Sequence, residues 1–154
     1  MKVSKKSDYA LRALFSLVEH YSDGPISINE LAKQNDVPRQ FLAQIMLDLK
    51  SQHWVKSIPG KYGGYSLARD PKNISMGRVI RHFDNLLSPI ACVSVSQYKR
   101  CSQEPDCRFR RVFLQIRNET TQLMDRATLA DVFKGKPVRI SEVFDEALIG
   151  GAGI

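Results

Sequence analysis

A chain of 154 residues, 43% hydrophobic and 25% charged, can hold one cored domain with an appended element, and it is too apolar for a disordered tail. Its net charge of +7 suits a polyanionic partner without by itself requiring nucleic acid. No apolar run suggests a membrane partner. The basic opening leads into a segment broken by Arg12, Glu19 and His20, so a folded helix is expected rather than an export signal, in a reducing cytoplasm where structural disulfides are rare.

The first helix places Leu11, Leu14, Phe15 and Val18 at helical spacing, giving one apolar stripe. Ser27, with Glu30 three residues on, reads as a capping box that opens a short second helix containing Leu31 and Ala32. The "QNDV" stretch interrupts the pattern. Pro38 suits the first turn of a third helix, where its missing amide hydrogen costs nothing. That helix would bury Leu42, Ile45, Met46 and Leu49 and turn Arg39, Gln40, Ala43 and Gln44 outward.

Two short helices joined by a tight turn, the second with a polar outer face, are the parts of a helix-turn-helix. Next, "WVKSIPGKYGGYSLA" supplies two β-prone runs joined by a glycine-rich tip, the wing of a winged helix. The fold class is therefore mainly α with a small β-hairpin wing, followed by a long C-terminal dimerisation helix. Gln40 and Gln44 lie one turn apart, and a glutamine amide can pair bidentately with adenine. Arg39 would reach guanine or phosphate, and Lys61 and Tyr62 at the wing tip would touch the DNA backbone or minor groove. The plainer alternative is that these are solvated surface residues.

Residues 1–85 form the expected DNA-binding domain, 86–104 a cysteine-containing loop, 105–135 the long helix with a short successor, and 136–154 a tail. From Pro105, Phe109, Val112, Phe113, Ile116, Leu123 and Ala127 recur at steps of three, four and seven. Phe109, Ile116 and Leu123 are whole heptads apart, a seam for the same helix of a second copy. Such a homodimer would offer two recognition helices to a palindromic double-stranded operator.

All three cysteines, Cys92, Cys101 and Cys107, fall in one sixteen-residue window among Lys99, Arg100, Arg108, Arg110 and Arg111. With Pro105 in the first helical turn, Cys107 would lie there too, where free amides and the helix dipole favour a thiolate. Several thiolates held together repel unless a cation joins them. Zinc is one reading, although the paired C-x-x-C knuckle is missing. An iron–sulfur cluster tolerates irregular loop spacing and prefers thiolates. A cluster-free thiol switch is a further alternative. An enzyme with Cys107 as nucleophile lacks an identifiable base, so no catalytic residue is assigned.

The segments "SDYALRALFSL", "FLAQIMLDLKSQHWVKS", "GKYGGYSLARDP" and "ISMGRVIRHFD", with the three-cysteine loop leading into a long helix, resemble the Rrf2 family of winged-helix transcription regulators over residues 1–135. The resemblance implies a homodimer that binds operator DNA, with an iron–sulfur cluster on Cys92, Cys101 and Cys107 near the dimer interface. Some members take the fourth ligand from a histidine three residues after the last cysteine, a position held here by Arg110. Others use an aspartate early in the first helix, which Asp8 matches. That set implies a [4Fe-4S] cluster, with [2Fe-2S] as runner-up, whose state sets DNA affinity. Against the family pattern, Pro59 stands where an arginine is common in the wing, and Ala43 replaces an acidic residue.

Overall fold

The computed structural model describes residues 3–84 and 88–144. The expected domain boundary at residues 85 and 86, and the end of the expected tail, lie outside the described residues. Helix α1 (Lys5–Glu19) starts at Ser4, whose hydroxyl accepts from the Ser7 amide at 3.2 Å. Leu14 and Val18 of its expected stripe are buried, together with Ala10, Ala13 and Leu17; Leu11 and Phe15 pack at the margin of the core. The stripe is wider than the large residues alone suggested, because small alanines let α1 approach its neighbours closely.

Helix α2 (Ile28–Asn35) follows Ser27, whose Oγ accepts from the Glu30 amide at 3.2 Å. The Glu30 carboxylate instead accepts from Gln34 one turn on, at 3.4 Å. Asp36 ends α2 in the left-handed region at φ 51°, and the Val37 amide bonds back to the Ala32 carbonyl, which carries Val37 into the core. Pro38 then caps α3 (Arg39–Ser51), one residue before its first turn. Leu42, Ile45, Met46 and Leu49 are fully buried, as their spacing predicts.

Strands β1 (Val55–Ile58) and β2 (Gly64–Leu67) pair antiparallel, with Val55 opposite Leu67 and Ile58 opposite Gly64. The Gly63 amide closes the tip by donating to the Gly60 carbonyl at 3.0 Å, leaving Lys61 and Tyr62 at its apex; Gly60 adopts φ 112°, which a side chain would disfavour. Gly64 lies so close to the Ile26 backbone that a Cβ would overlap the Ile26 carbonyl, and this contact lets Ile26 and Tyr65 exchange backbone bonds at 2.9 and 2.8 Å.

Helix α4 (Met76–Asp84) buries Gly77, Val79 and Ile80. The long helix α5 (Phe109–Arg126) begins four residues later than expected. Before its N-cap, Arg108, which makes no side-chain capping bond, the Glu104 and Asp106 amides bond to the Cys101 and Gln103 carbonyls in successive turns. Cys107 therefore precedes the helix and does not sit in its first turn. Helix α6 (Leu129–Lys134), capped by Thr128, returns to the first unit: Leu129 is fully buried in the core and its amide bonds to the Ile74 carbonyl at 2.8 Å. A further turn, α7 (Ile140–Val143), lies within the expected tail.

The core thus joins α1, α2, α3, the hairpin, α4 and α6 into one head. Each fully buried leucine contributes about 1.5–3 kcal/mol of transfer free energy. Helix α5 leaves it as an arm, with no buried side chain of its own.

Candidate nucleic-acid interface and cysteine loop

On α3, Arg39, Gln40 and Gln44 are exposed and Ala43 is half-buried, so the expected face points away from the core. Arg39 is not free to rotate at random: its Nε donates to Asn29 Oδ1 of α2 at 2.7 Å. That bond, between residues ten apart in the chain, aims the guanidinium along the two-helix unit. Asn29 had no distinguishing sequence signal. Tyr62 at the wing tip is 85% exposed, and the Lys61 ammonium lies 5.6 Å from its ring centroid. An exposed aromatic beside an ammonium, on a narrow hairpin tip, can reach into a groove or along a phosphate strand.

The cysteine loop is held differently. A short 3₁₀ turn, Ala91–Val93, carries Cys92 into the wall of an open cleft of about 400 Å³ that is also lined by Cys107, Tyr98, Glu104, Arg110 and Arg117. Cys101 is exposed and does not line this cleft. Among the described residues, no three ligating side chains converge as a metal site would require.

Asp8 is engaged elsewhere. Both of its carboxylate oxygens accept from Arg12, at 3.1 and 2.7 Å, an i to i+4 ion pair that raises the Arg12 pKa chiefly through that hydrogen bond. As arranged, then, these residues do not fit an iron–sulfur cluster: two thiols share a cleft, the third lies outside it, and the aspartate is tied to an arginine. Of the three cysteines expected to converge, Cys92 and Cys107 share the cleft and Cys101 lies outside it; Asp8, expected to reach the loop of a second copy, is bonded to Arg12 of its own helix. The physical reason is visible in the cleft, where Arg110 occupies the space with its own partners. Its Nε and Nη2 donate to the Cys92 carbonyl at 3.2 and 3.0 Å, and Nη2 lies 3.5 Å from Glu104. Glu104 in turn accepts from the Tyr98 hydroxyl at 2.8 Å, and this bond raises the Tyr98 pKa. The sequence marked Arg110 as one of the basic residues around the cysteines and as one that cannot ligate a metal.

Along α5, Phe109, Val112, Ile116 and Leu123 are 77%, 59%, 43% and 72% exposed. The heptad stripe is therefore uncovered in the single chain. Phe113 and Ala127 are half-buried.

A buried three-helix head, an outward polar face on the second helix of a helix-turn-helix, and an exposed two-stranded wing define a winged-helix DNA-binding protein. The profile of the Rrf2 family, described as an iron-dependent transcriptional regulator, matches residues 3–135. The chain belongs to that family. An rrf2-like HTH-type transcriptional regulator of Rhodobacter capsulatus is 37% identical over 136 residues, covering 84% of this chain and 91% of its own. The structure of CymR, the global cysteine regulator of B. subtilis, superposes with a TM-score of 0.76 at 29% identity, covering 89% of this chain and 99% of that one. T. potens IscR superposes with a TM-score of 0.68, also at 29% identity, covering 87% of each chain. No helix among the described residues is long and apolar enough to cross a membrane.

Proposed function

We propose that this transcriptional regulator binds operator DNA as a homodimer paired along α5, and that chemistry at the cysteine loop sets its operator affinity. The observation that carries the DNA reading is the outward face of α3, where Gln40 and Gln44 stand exposed one turn apart beside an Arg39 aimed by Asn29. Base edges would be read by Gln40, Gln44 and Arg39, with Ala43 leaving room for a thymine methyl. Lys61 and Tyr62 would make the backbone and minor-groove contacts that fix register. The uncovered Phe109, Ile116 and Leu123 support pairing, since an apolar stripe of whole heptads is otherwise left in water.

For the sensory chemistry, a cluster-free switch on Cys92 and Cys107 needs the least movement, because both already line one cleft. A second reading is favoured by the family's iron-dependent description and by three thiols in one loop: an iron–sulfur cluster on Cys92, Cys101 and Cys107 with Asp8, [4Fe-4S] before [2Fe-2S]. It requires Cys101 to enter the cleft and Asp8 to release Arg12.

Anaerobic purification separates the two. A brown protein with sulfide-dependent visible absorption supports the cluster; a colourless one without metal excludes it, and the switch then requires operator affinity to change when Cys92 and Cys107 are oxidised. Stoichiometric zinc in a colourless protein would overturn both. Operator binding is tested by affinity at rising salt, which should fall steeply as phosphate contacts release counterions.

A further inference from the structure

Helix α5 holds the cysteine turn through two arginines seven residues apart, nearly two full helical turns, so both project from the same side. Arg110 donates two bonds to the Cys92 carbonyl, at 3.2 and 3.0 Å, and Arg117 donates from Nη1 to the Val93 carbonyl at 3.1 Å. These are consecutive carbonyls of one 3₁₀ turn, Ala91–Val93. The Val93 side chain is itself buried, which pins the turn from behind. A second tier closes over the first: Glu104 faces Arg110 and accepts from Tyr98, joining the far side of the loop to the same guanidinium. Although α5 buries no side chain fully, Leu114 lines the same cleft as Val93, so the arginine bonds act beside a half-buried apolar contact surface.

We infer that Arg110 and Arg117 are positioning residues, a two-point clamp that couples the turn carrying Cys92 to the long helix, so that a bond formed at the Cys92 sulfur is transmitted to α5. This rests on the reading of the cysteine loop as the sensory element. The coupling follows from one residue carrying both groups: Cys92, half-buried and lining the cleft, bears the thiol, and its carbonyl is the anchor for Arg110. A new bond at the sulfur that shifts the turn must lengthen or break the carbonyl bonds. Those bonds have a charged donor, which makes them about twice as strong as neutral ones. Conversely, the clamped carbonyl holds the sulfur inside the cleft and restricts reagents from reaching it.

The test uses the full chain, reduced and metal-free, treated with iodoacetamide and read by peptide mass spectrometry. Exposed Cys101, outside the cleft, is the internal reference. Arg110→Gln should raise the alkylation rate of Cys92 relative to Cys101 about tenfold, the order expected for losing a charged hydrogen-bond donor. Arg117→Gln should raise it about threefold, having one bond to lose. Arg110→Lys, which keeps the charge but not the fork, should restore part of the protection. An unchanged ratio in both glutamine variants overturns the clamp; if Arg110→Gln fails to fold by circular dichroism, Arg117→Gln and Arg110→Lys decide it.

A second measurement takes a Cys101→Ser, Cys107→Ser chain alkylated at Cys92 alone and compares its operator affinity with that of unmodified Arg110→Gln. Matching changes in affinity support transmission through the clamp. If alkylation changes affinity and Arg110→Gln changes neither affinity nor reactivity, the clamp is wrong and the sensory loop stands. If neither treatment alters affinity although Cys92 becomes reactive, the sensory reading and the transmission fail together.

Discussion

In the head, Leu14, Leu31, Leu42, Ile45, Met46 and Leu49 have no exposed surface, whereas in α5 no side chain is buried and Phe109 and Leu123 are more than 70% exposed. The head encloses its own apolar residues, so its shape is set by packing within one chain. Polar contacts and backbone bonds between arm and head include Arg81 to Asp125 at 2.5 Å and the Met76 amide to the Ala127 carbonyl at 2.9 Å, while Arg110 and Arg117 tie the arm to the cysteine turn. One close approach supplements them, where a Cβ on Gly77 would displace the Asp125 carboxylate and crowd the Met124 backbone. A region held this way can change its angle without dissolving a core. That difference fits the proposal of a DNA-reading head joined to a helix that pairs with a second copy.

The largest expected effect separates head from arm. Leu42→Ala should cost about 2–5 kcal/mol in urea unfolding, whereas Ile116→Ala, measured where the chain is monomeric, should stay within about 0.5 kcal/mol. A comparable loss at Ile116 would mean that the arm's stripe is covered by its own chain. Leu129→Ala sharpens the same contrast. Although it follows the arm in sequence, it should cost about as much as Leu42→Ala, because its side chain lies in the head's core.

On the DNA side, Gln44→Ala should reduce specific operator binding by about 1–3 kcal/mol with little change in non-specific binding. Lys61→Ala should instead weaken both and lower the salt slope by about one. Equal behaviour of the two variants would erase the distinction between a reading face and a phosphate-contacting wing.

The smallest effect concerns the loop's second tier. Glu104→Gln should lower the Tyr98 pKa toward its ordinary value, followed by ultraviolet titration of tyrosinate. The sign follows from the neutral phenol being the donor to Glu104. With the folded pKa raised, any stabilisation from that bond is fully present below the ordinary tyrosine range and is lost as pH rises through the folded value.

Much of the head is written into local sequence. The spacing of Leu42, Ile45, Met46 and Leu49, the Ser27 cap, Pro38 at the start of α3 and the glycine-rich tip each act over a few residues, so their consequences can be read in order along the chain. The burial of Ala10 and Ala13 was not visible in the same way, because an alanine signals close approach only once the neighbouring helix is in place. The start of α5 was misjudged for a related reason: Pro105 tolerates a first helical turn, but the turns at Cys101–Asp106 satisfy the backbone there instead.

The cysteines mark the limit most clearly. Their gathering in one basic segment, and the outward polar face of α3, are properties of the linear chain, because periodicity and proximity in sequence determine them. Which sulfurs meet is a matter of three dimensions. The sharing of one cleft by Cys92 and Cys107, the exclusion of Cys101 and the grip of Arg110 on the Cys92 carbonyl depend on how α5 lies across a turn 18 residues away. No local rule specifies such a contact; it is decided by the packing of whole elements, and the same is true of Leu129 entering a core begun more than a hundred residues earlier.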